Sequence, residues 1–389
     1  MKVKPGYLFV GAALVTVVVA VSGCCGACAS LKAKFYTAAA EGYLEDGDYA
    51  EAVEAYDEAL AADPENVKNW CNRGYSLARL GEYDKALASF ESALTLDPGD
   101  PWAWYTRGVT LGIMGEYDRA LGCLNRALEL RPGYADAWLA KGDIYTRVGS
   151  YKKALSYFDK VLEVNPADKE AWVSKSEACR LMGNYKEAVK CLNQALSIDP
   201  DYSRALGMKG IFLLDKGQYE TATECFDRVL ETDREERWAW YYKGLALFLQ
   251  RDYGIAAGHF KTAVEVDPFV VNTYDLYYYL SYYISQARLG REAGGTLGPA
   301  LRGDCREWPY PAVRFFSGQI TAGQLIAAAG GEGQPLTDAH CYIGYKNKFD
   351  GDDVQAFYHF RSAMKAAEKA GGYVTSSPTY LMAKHEMGK

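Results

Sequence analysis

The stretch GEYDKALASFESALTLDPGD, residues 81–100, returns 34 residues later as GEYDRALGCLNRALELRPGY, and 68 residues after that as GNYKEAVKCLNQALSIDPDY. A fixed period constrains folding strongly, because each copy must form the same local structure and stack on its neighbours. Seven copies fit without insertion, starting at Ala33, Val67, Pro101, Ala135, Lys169, Ser203 and Arg237 and filling 33–270. Position 20 is Ala in all seven, from Ala52 to Ala256, and position 17 is Tyr, from Tyr49 to Tyr253. Position 8 is always small: Ala40, Gly74, Gly108, Gly142, Ser176, Gly210 and Gly244.

Small residues at 8 and 20 predict two antiparallel helices in close approach, with the aromatics at position 4 (Tyr36, Trp70, Trp104, Trp138, Trp172, Trp240) filling the space beside them. Gly at position 15 suits the left-handed residue that ends a first helix, and Pro at 32 stops the second. The copy is therefore helix, tight turn, helix, and its pattern resembles the tetratricopeptide repeat. That resemblance implies an all-α superhelical solenoid whose inner surface is available for binding, here with a helical C-terminal capping segment.

The leader MKVKPGYLFVGAALVTVVVAVSGCCGAC has two lysines, an apolar stretch and a small-residue ending, which reads as a signal peptide over 1–23. Its VSGC ending resembles the lipobox of lipoproteins, which implies lipidation (palmitate among the acyl groups) at Cys24 and a tether over 24–32. The alternative is an uncleaved membrane helix, since about 20 apolar residues are enough to span. Both place the repeats outside the cytoplasm, anchored to a membrane. Without Lys2 and Lys4 the acidic excess grows from seven to nine charges, which argues against a nucleic-acid partner.

Cys123, Cys191 and Cys225 share position 23 and read as small packing residues. Cys25 and Cys28 form a CxxC with no second pair or nearby His, so no metal site is expected; Cys305 with Cys341 is left open as a disulfide. There is no HExxH, GxSxG or GxxxxGK[ST], GGEG at 330–333 lacks a phosphate-loop context, and His340 reads as structural. No catalytic residue, cofactor or metal is assigned.

After Pro268 the strict period lapses. A connecting segment spans 271–336, with one helix over 272–290 capped by Asn272, a Gly-rich break, and two short helices around Gly318 and Thr321. A degenerate eighth repeat follows over 337–370, then a closing helix within 371–389 that has Pro378 in its first turn. WPYPAVRFFSGQITAGQL and CYIGYKNKFDGDDVQAFYHFRSA are similar to the C-terminal part of the NlpI-type lipoproteins. That resemblance implies a non-catalytic adaptor on the periplasmic face of the outer membrane, bringing cell-wall hydrolases and a processing protease together.

On each first helix, positions 2, 5, 9 and 12 form a stripe about 120° from the packed one, using 100° per residue. In tetratricopeptide proteins this stripe lines the groove. Here it reads Trp102, Tyr105 and Val109, then Asp136, Asp143, Glu170 and Glu177, then Trp238, Tyr241, Leu245 and Phe248. The first aromatics and the four acids are the candidate partner-binding groove, suited to peptides with basic and apolar side chains. Trp238, Tyr241 and Phe248 are the expected seat of the C-terminal segment.

The resulting expectation is an extracytoplasmic scaffold that binds other envelope proteins or peptides, with homo-oligomerisation left open. An assembly lipoprotein for pili or outer-membrane proteins is the alternative, and a hydrolase acting through the C-terminal segment a third.

Overall fold

A computed structural model describes residues 26–266, 273–291, 293–302, 307–371, 374 and 377–388. The signal peptide, Cys24, the proposed cap Asn272 and Cys305 lie outside the described residues. The chain is all-α and divides into two compact blocks, one ending at Pro166 and one starting at Ala167.

The N-terminal block stacks four helix pairs: α1 (Gly26–Asp46) with α2 (Tyr49–Ala62), α3 (Val67–Arg79) with α4 (Tyr83–Leu96), α5 (Pro101–Ile113) with α6 (Tyr117–Leu130), and α7 (Ala135–Arg147) with α8 (Tyr151–Val164). Helix α1 starts seven residues before Ala33, so the helix reaches back into the expected tether; ACASLKAKF holds no Gly or Pro to stop it. The C-terminal block continues with α9 (Lys169–Leu181) and α10 (Tyr185–Ile198), α11 (Ser203–Asp215) and α12 (Tyr219–Thr232), then α13 (Arg237–Leu249) and α14 (Tyr253–Glu265). Beyond these come α15 (Thr273–Arg288), α16 (Gly298–Arg302), α17 (Tyr310–Phe316), α18 (Ala322–Ala329), α19 (Gln334–Phe349), α20 (Asp353–Ala370) and α21 (Pro378–Glu386). Helix α19 starts three residues ahead of the expected eighth repeat, with Pro335 in its first turn.

Three recurring contacts explain the period. First, the Gly at position 8 lies under the side chain at position 24 of its own repeat: Gly74 under Phe90, Gly108 under Leu124, Gly142 under Phe158, Gly210 under Phe226 and Gly244 under Phe260. Where position 8 is Ser176, position 24 is Leu192, and both are fully buried. Second, the tryptophan at position 4 is not simply space-filling. Its indole N–H donates to the backbone carbonyl six residues earlier, in the turn between repeats: Trp70 to Pro64 (2.8 Å), Trp104 to Pro98 (2.9 Å), Trp138 to Pro132 (3.1 Å) and Trp240 to Arg234 (2.8 Å). Third, the basic residue at position 7 reaches position 25 of the preceding repeat: Arg73 to Asp57 (2.6 Å), Lys141 to Asn125 (2.7 Å), Lys209 to Asn193 (3.2 Å) and Lys243 to Asp227 (2.5 Å).

The position-15 glycines have φ between 73° and 83°, and Arg251 takes their place in the seventh repeat at φ 67°. Thr321 makes a capping box with Gln324 at the start of α18, and Gly318 is left-handed after α17.

Two polar clusters lock the C-terminal segment. Asp338, fully buried, accepts from Tyr277 Oη (2.8 Å), Trp308 Nε1 (2.8 Å), Thr379 Oγ1 and Gln334 Nε2. Burial raises its carboxyl to about 6, against the lowering effect of those four donors. Glu386 lies between Lys348 (2.5 Å) and Arg288 (3.3 Å).

Candidate partner-binding surfaces

In the N-terminal block, rings from two successive first helices and the turn that follows them form a continuous run. Trp102 lies 6.4 Å from Tyr75 and 5.6 Å from Tyr105, and Tyr105 lies 5.0 Å from Tyr134, centroid to centroid. Tyr75, Trp102 and Tyr105 are half-buried and Tyr134 is buried, so the run is braced from behind and open on one side. Arg79 stacks over Tyr49 at 4.6 Å and donates to Tyr75 Oη, while Arg131 lies 4.8 Å over Tyr134. Asp136 is exposed beside this run and Asp143 is half-buried. Burial pushes the Tyr105 phenol up to about 12, with Asp136, Tyr75 and Asp143 adding to the shift.

The structure does not leave the other two acids open to a partner. Glu170 is paired with Arg204 and accepts from Tyr202 Oη. Glu177 receives both arms of the Arg180 fork, at 2.6 and 2.9 Å. Of the acidic middle expected from the stripe, Asp136 is the exposed carboxylate. Reading acids alone missed their bases, although the Glu177–Arg180 spacing of three was a signal for an ion pair on one helix face, and Arg204 occupies position 2 of the next repeat.

At the other end of the stripe, Tyr241 and Phe248 are buried among the C-terminal helices, with Tyr241 4.8 Å from Tyr278 of α15 and Phe248 6.1 Å from Tyr345 of α19. Leu245 is fully buried too. Trp238 is half-buried; it packs over Gly207, where a Cβ would come within 2.6 Å of the indole. It also walls a cavity of about 480 Å³. One side of that cavity comes from first helices α9, α11 and α13, through Glu177, Arg180, Met208, Ile211, Trp238, Tyr241 and Tyr242. The other comes from the C-terminal segment, through Tyr277, Tyr278, Gln334, Ser377 and Pro378.

His340 has a partner that the sequence did not reveal: its Nδ1 is 3.0 Å from Nδ1 of His359, across α19 and α20. Burial and the facing imidazole lower His340 to about 4, and burial lowers His359. Cys123, Cys191, Cys225 and Cys341 are buried. Among the described residues no group of three or more His, Cys, Asp or Glu is placed to hold a metal ion, and no helix is long and apolar enough to cross a membrane.

Two family models, each described as tetratricopeptide repeat, match this sequence: one over 37–101, 105–163 and 141–203, the other over 180–240, together more than half of the chain. A tetratricopeptide repeat protein from Parabacteroides merdae superposes with a TM-score of 0.52 at 22% identity, covering 66% of this chain and 99% of that one. The MamA protein aligns at 28% identity over 43% of this chain and 92% of its own, with a TM-score of 0.37. YrrB, a TPR protein with an unusual peptide-binding site, aligns at 26% identity over 45% of this chain and 90% of its own, with a TM-score of 0.36. No curated protein matches the sequence.

Proposed function

The chain belongs to the tetratricopeptide repeat family, and from that premise we propose that it is a non-catalytic scaffold holding other proteins of the cell envelope on the first-helix face of its repeats. The observation that carries this reading is the ring run from Tyr75 to Tyr134 with Asp136 exposed at its edge. Half-buried aromatics offer large contact area at low entropic cost, and a neighbouring carboxylate selects basic side chains. A peptide carrying apolar anchors next to Lys or Arg fits both.

The finer part of the proposal concerns place and company. The lipobox-like VSGC supports an acyl anchor at Cys24, with the repeats on the extracytoplasmic side, at the outer membrane in a Gram-negative envelope. The likeness of 308–325 and 341–363 to NlpI-type lipoproteins supports a role in organising cell-wall hydrolases and a protease.

A photo-crosslinking amino acid at Trp102 tests the scaffold in the intact envelope. Discrete adducts with exported proteins are expected, reduced by Asp136→Lys and missing when the crosslinker stands at Lys152 on a second helix. Equal adducts from Trp102 and Lys152, or none from Trp102, would remove the basis for the proposal.

A further inference from the structure

The eighth repeat departs from the other seven on the outward side of its second helix. At positions 18 and 22 those seven hold Ala, Gly, Ser or a charged residue, and every one of these positions is exposed. In the eighth repeat the same two positions are Val354 and Tyr358, 77% and 60% exposed. Phe357, at position 21, is 53% exposed, where the seven regular repeats have a smaller residue that is half-buried or buried. Spaced i, i+3, i+4, the three side chains share one face of α20. The periodic fold has no use for apolar groups there, and an adjoining set of them in open solvent marks a contact surface.

The charges around this patch say what covers it. Helix α20 opens with Asp353 on the flank of the patch, and Arg361 and Lys365 continue the patch's own face toward the other end. Asp350 pairs with Lys346 and Lys369 with Glu332, whereas Asp353, Arg361 and Lys365 are exposed and make no ion pair with a described residue. A membrane of one charge sign would attract one end of the patch and repel the other. A second copy of α20 lying antiparallel matches both ends. With a two-fold axis between Phe357 and Tyr358, Asp353 stands about 7 Å before the axis, and Arg361 and Lys365 about 5 and 11 Å beyond it, at ~1.5 Å per residue. Asp353 of one copy therefore falls level with the gap between Arg361 and Lys365 of the other, while Phe357 and Tyr358 meet their own counterparts. The two helix dipoles also run in opposite directions, which favours the pairing.

We infer that the chain pairs with a second copy of itself through α20, antiparallel and two-fold symmetric, with Val354, Phe357 and Tyr358 at the centre and Asp353 facing Arg361 and Lys365 at each end. Such a contact uses the same surface on both copies and so closes at two. It uses none of the rings from Tyr75 to Tyr134, so a pair presents two of those runs, and a ligand with two matching segments is held by both. One helix pair lies at the small end of specific interfaces, so a dissociation constant on the order of micromolar is expected.

The test is sedimentation equilibrium of the full chain in a neutrally buoyant detergent, over a concentration series from below to well above micromolar. A monomer–dimer equilibrium is expected, weakened at least tenfold by Phe357→Asp and severalfold by either Asp353→Lys or Lys365→Asp. Combining Asp353→Lys with Lys365→Asp should bring the dissociation constant back toward the parent's, because the two exchanged charges face each other across the axis. All of these sites are exposed, and circular dichroism melts report the folding of each variant separately. If Phe357→Asp fails to fold, the charge exchange still decides the matter. A parent that stays monomeric throughout overturns the inference, whether or not it binds anionic vesicles. So does a dimer unchanged by folded Phe357→Asp, or a combined variant no tighter than the two single ones.

Discussion

A Cβ added to Gly74 would lie 2.5 Å from Cε1 of Phe90, the residue 16 places further on that packs across from it on the second helix of the same repeat. Gly74→Ala therefore overpacks a closed contact at a cost of ~1–3 kcal/mol, offset in part by the better helix propensity of Ala, ~1 kcal/mol. The expected result is a lower melting temperature that Phe90→Leu in the same chain largely restores, because the shorter side chain vacates the space that the new methyl group takes. A double mutant no more stable than Gly74→Ala would refute the pairing.

Arg251 holds a left-handed backbone, φ 67°, where six other repeats have Gly at the same position. A residue with a Cβ pays roughly 1–2 kcal/mol for that conformation, while Gly loses some of the gain through the freedom of the unfolded chain. Arg251→Gly should therefore raise stability by about 0.5–1 kcal/mol, measured by urea unfolding.

Asp338 couples the C-terminal segment to pH. Its folded value of about 6 lies above the ordinary carboxyl value, so its contribution is fully present below about pH 4 and is lost as pH rises through 6. Between about pH 5 and pH 7.5 that carboxyl should cost roughly 1 kcal/mol of stability. The His340–His359 pair has the opposite sign: both folded values are lowered, so its contribution is present above about pH 6.5 and is lost toward pH 4. Asp338→Asn offers one acceptor oxygen to four donors and should lower the melt at every pH, while shrinking the pH-dependent part that this carboxyl supplies. A variant with the parent's full pH profile would show that another group carries it.

Glu177 and Asp136 occupy the same stripe but should respond differently. Glu177→Ser leaves the Arg180 guanidinium, 14% exposed, without its fork partner and should destabilise by about 1–2 kcal/mol. Asp136→Ser, at an exposed site, should change stability by less than about 0.5 kcal/mol and instead weaken the binding of basic peptides in a salt-dependent way. Thermal melts and peptide titrations at two salt concentrations separate the two.

Cys24→Ser should abolish acyl labelling of the mature chain in cells fed a clickable fatty acid. Labelling at the parent's level would place the acceptor elsewhere.

What was legible in the sequence is what recurs. Ala at 20, Tyr at 17 and Gly at 15 each solve a local problem that every copy shares, so counting along the chain exposes them; all seven alanines from Ala52 to Ala256 are fully buried. Tyr241 and Phe248 could be placed against the C-terminal segment because a large apolar surface next to non-repeat sequence needs cover. Contacts without a period were not legible. The donors to Asp338 come from 61, 30 and 41 residues away for Tyr277, Trp308 and Thr379, on elements whose order follows no rule that spacing could reveal. The cavity has the same origin, since five of its twelve lining residues come from the C-terminal segment. The engagement of Glu170 and Glu177 lay in between: their bases were in view, but a stripe scored for one sign of charge does not show neutralisation.

The bonds that reach from position 4 to a carbonyl six residues back, and from position 7 to a side chain 16 residues back, each cross one repeat boundary and no more. Repeats in the N-terminal block are therefore interchangeable parts. Excising 101–134 would bring Ala135 directly after Asp100, and Trp138 would find the carbonyl of Pro98 that Trp104 now holds. Lys141 would meet Glu91 in place of Asn125, an ion pair instead of an amide contact. A chain wired in this way can lengthen or shorten by whole repeats through simple duplication or loss of coding sequence, with every junction already equipped. The segment gathered around Asp338 has no such freedom, because its partners answer to unique neighbours. Length can evolve quickly in the repeats, while the segment around Asp338 stays fixed.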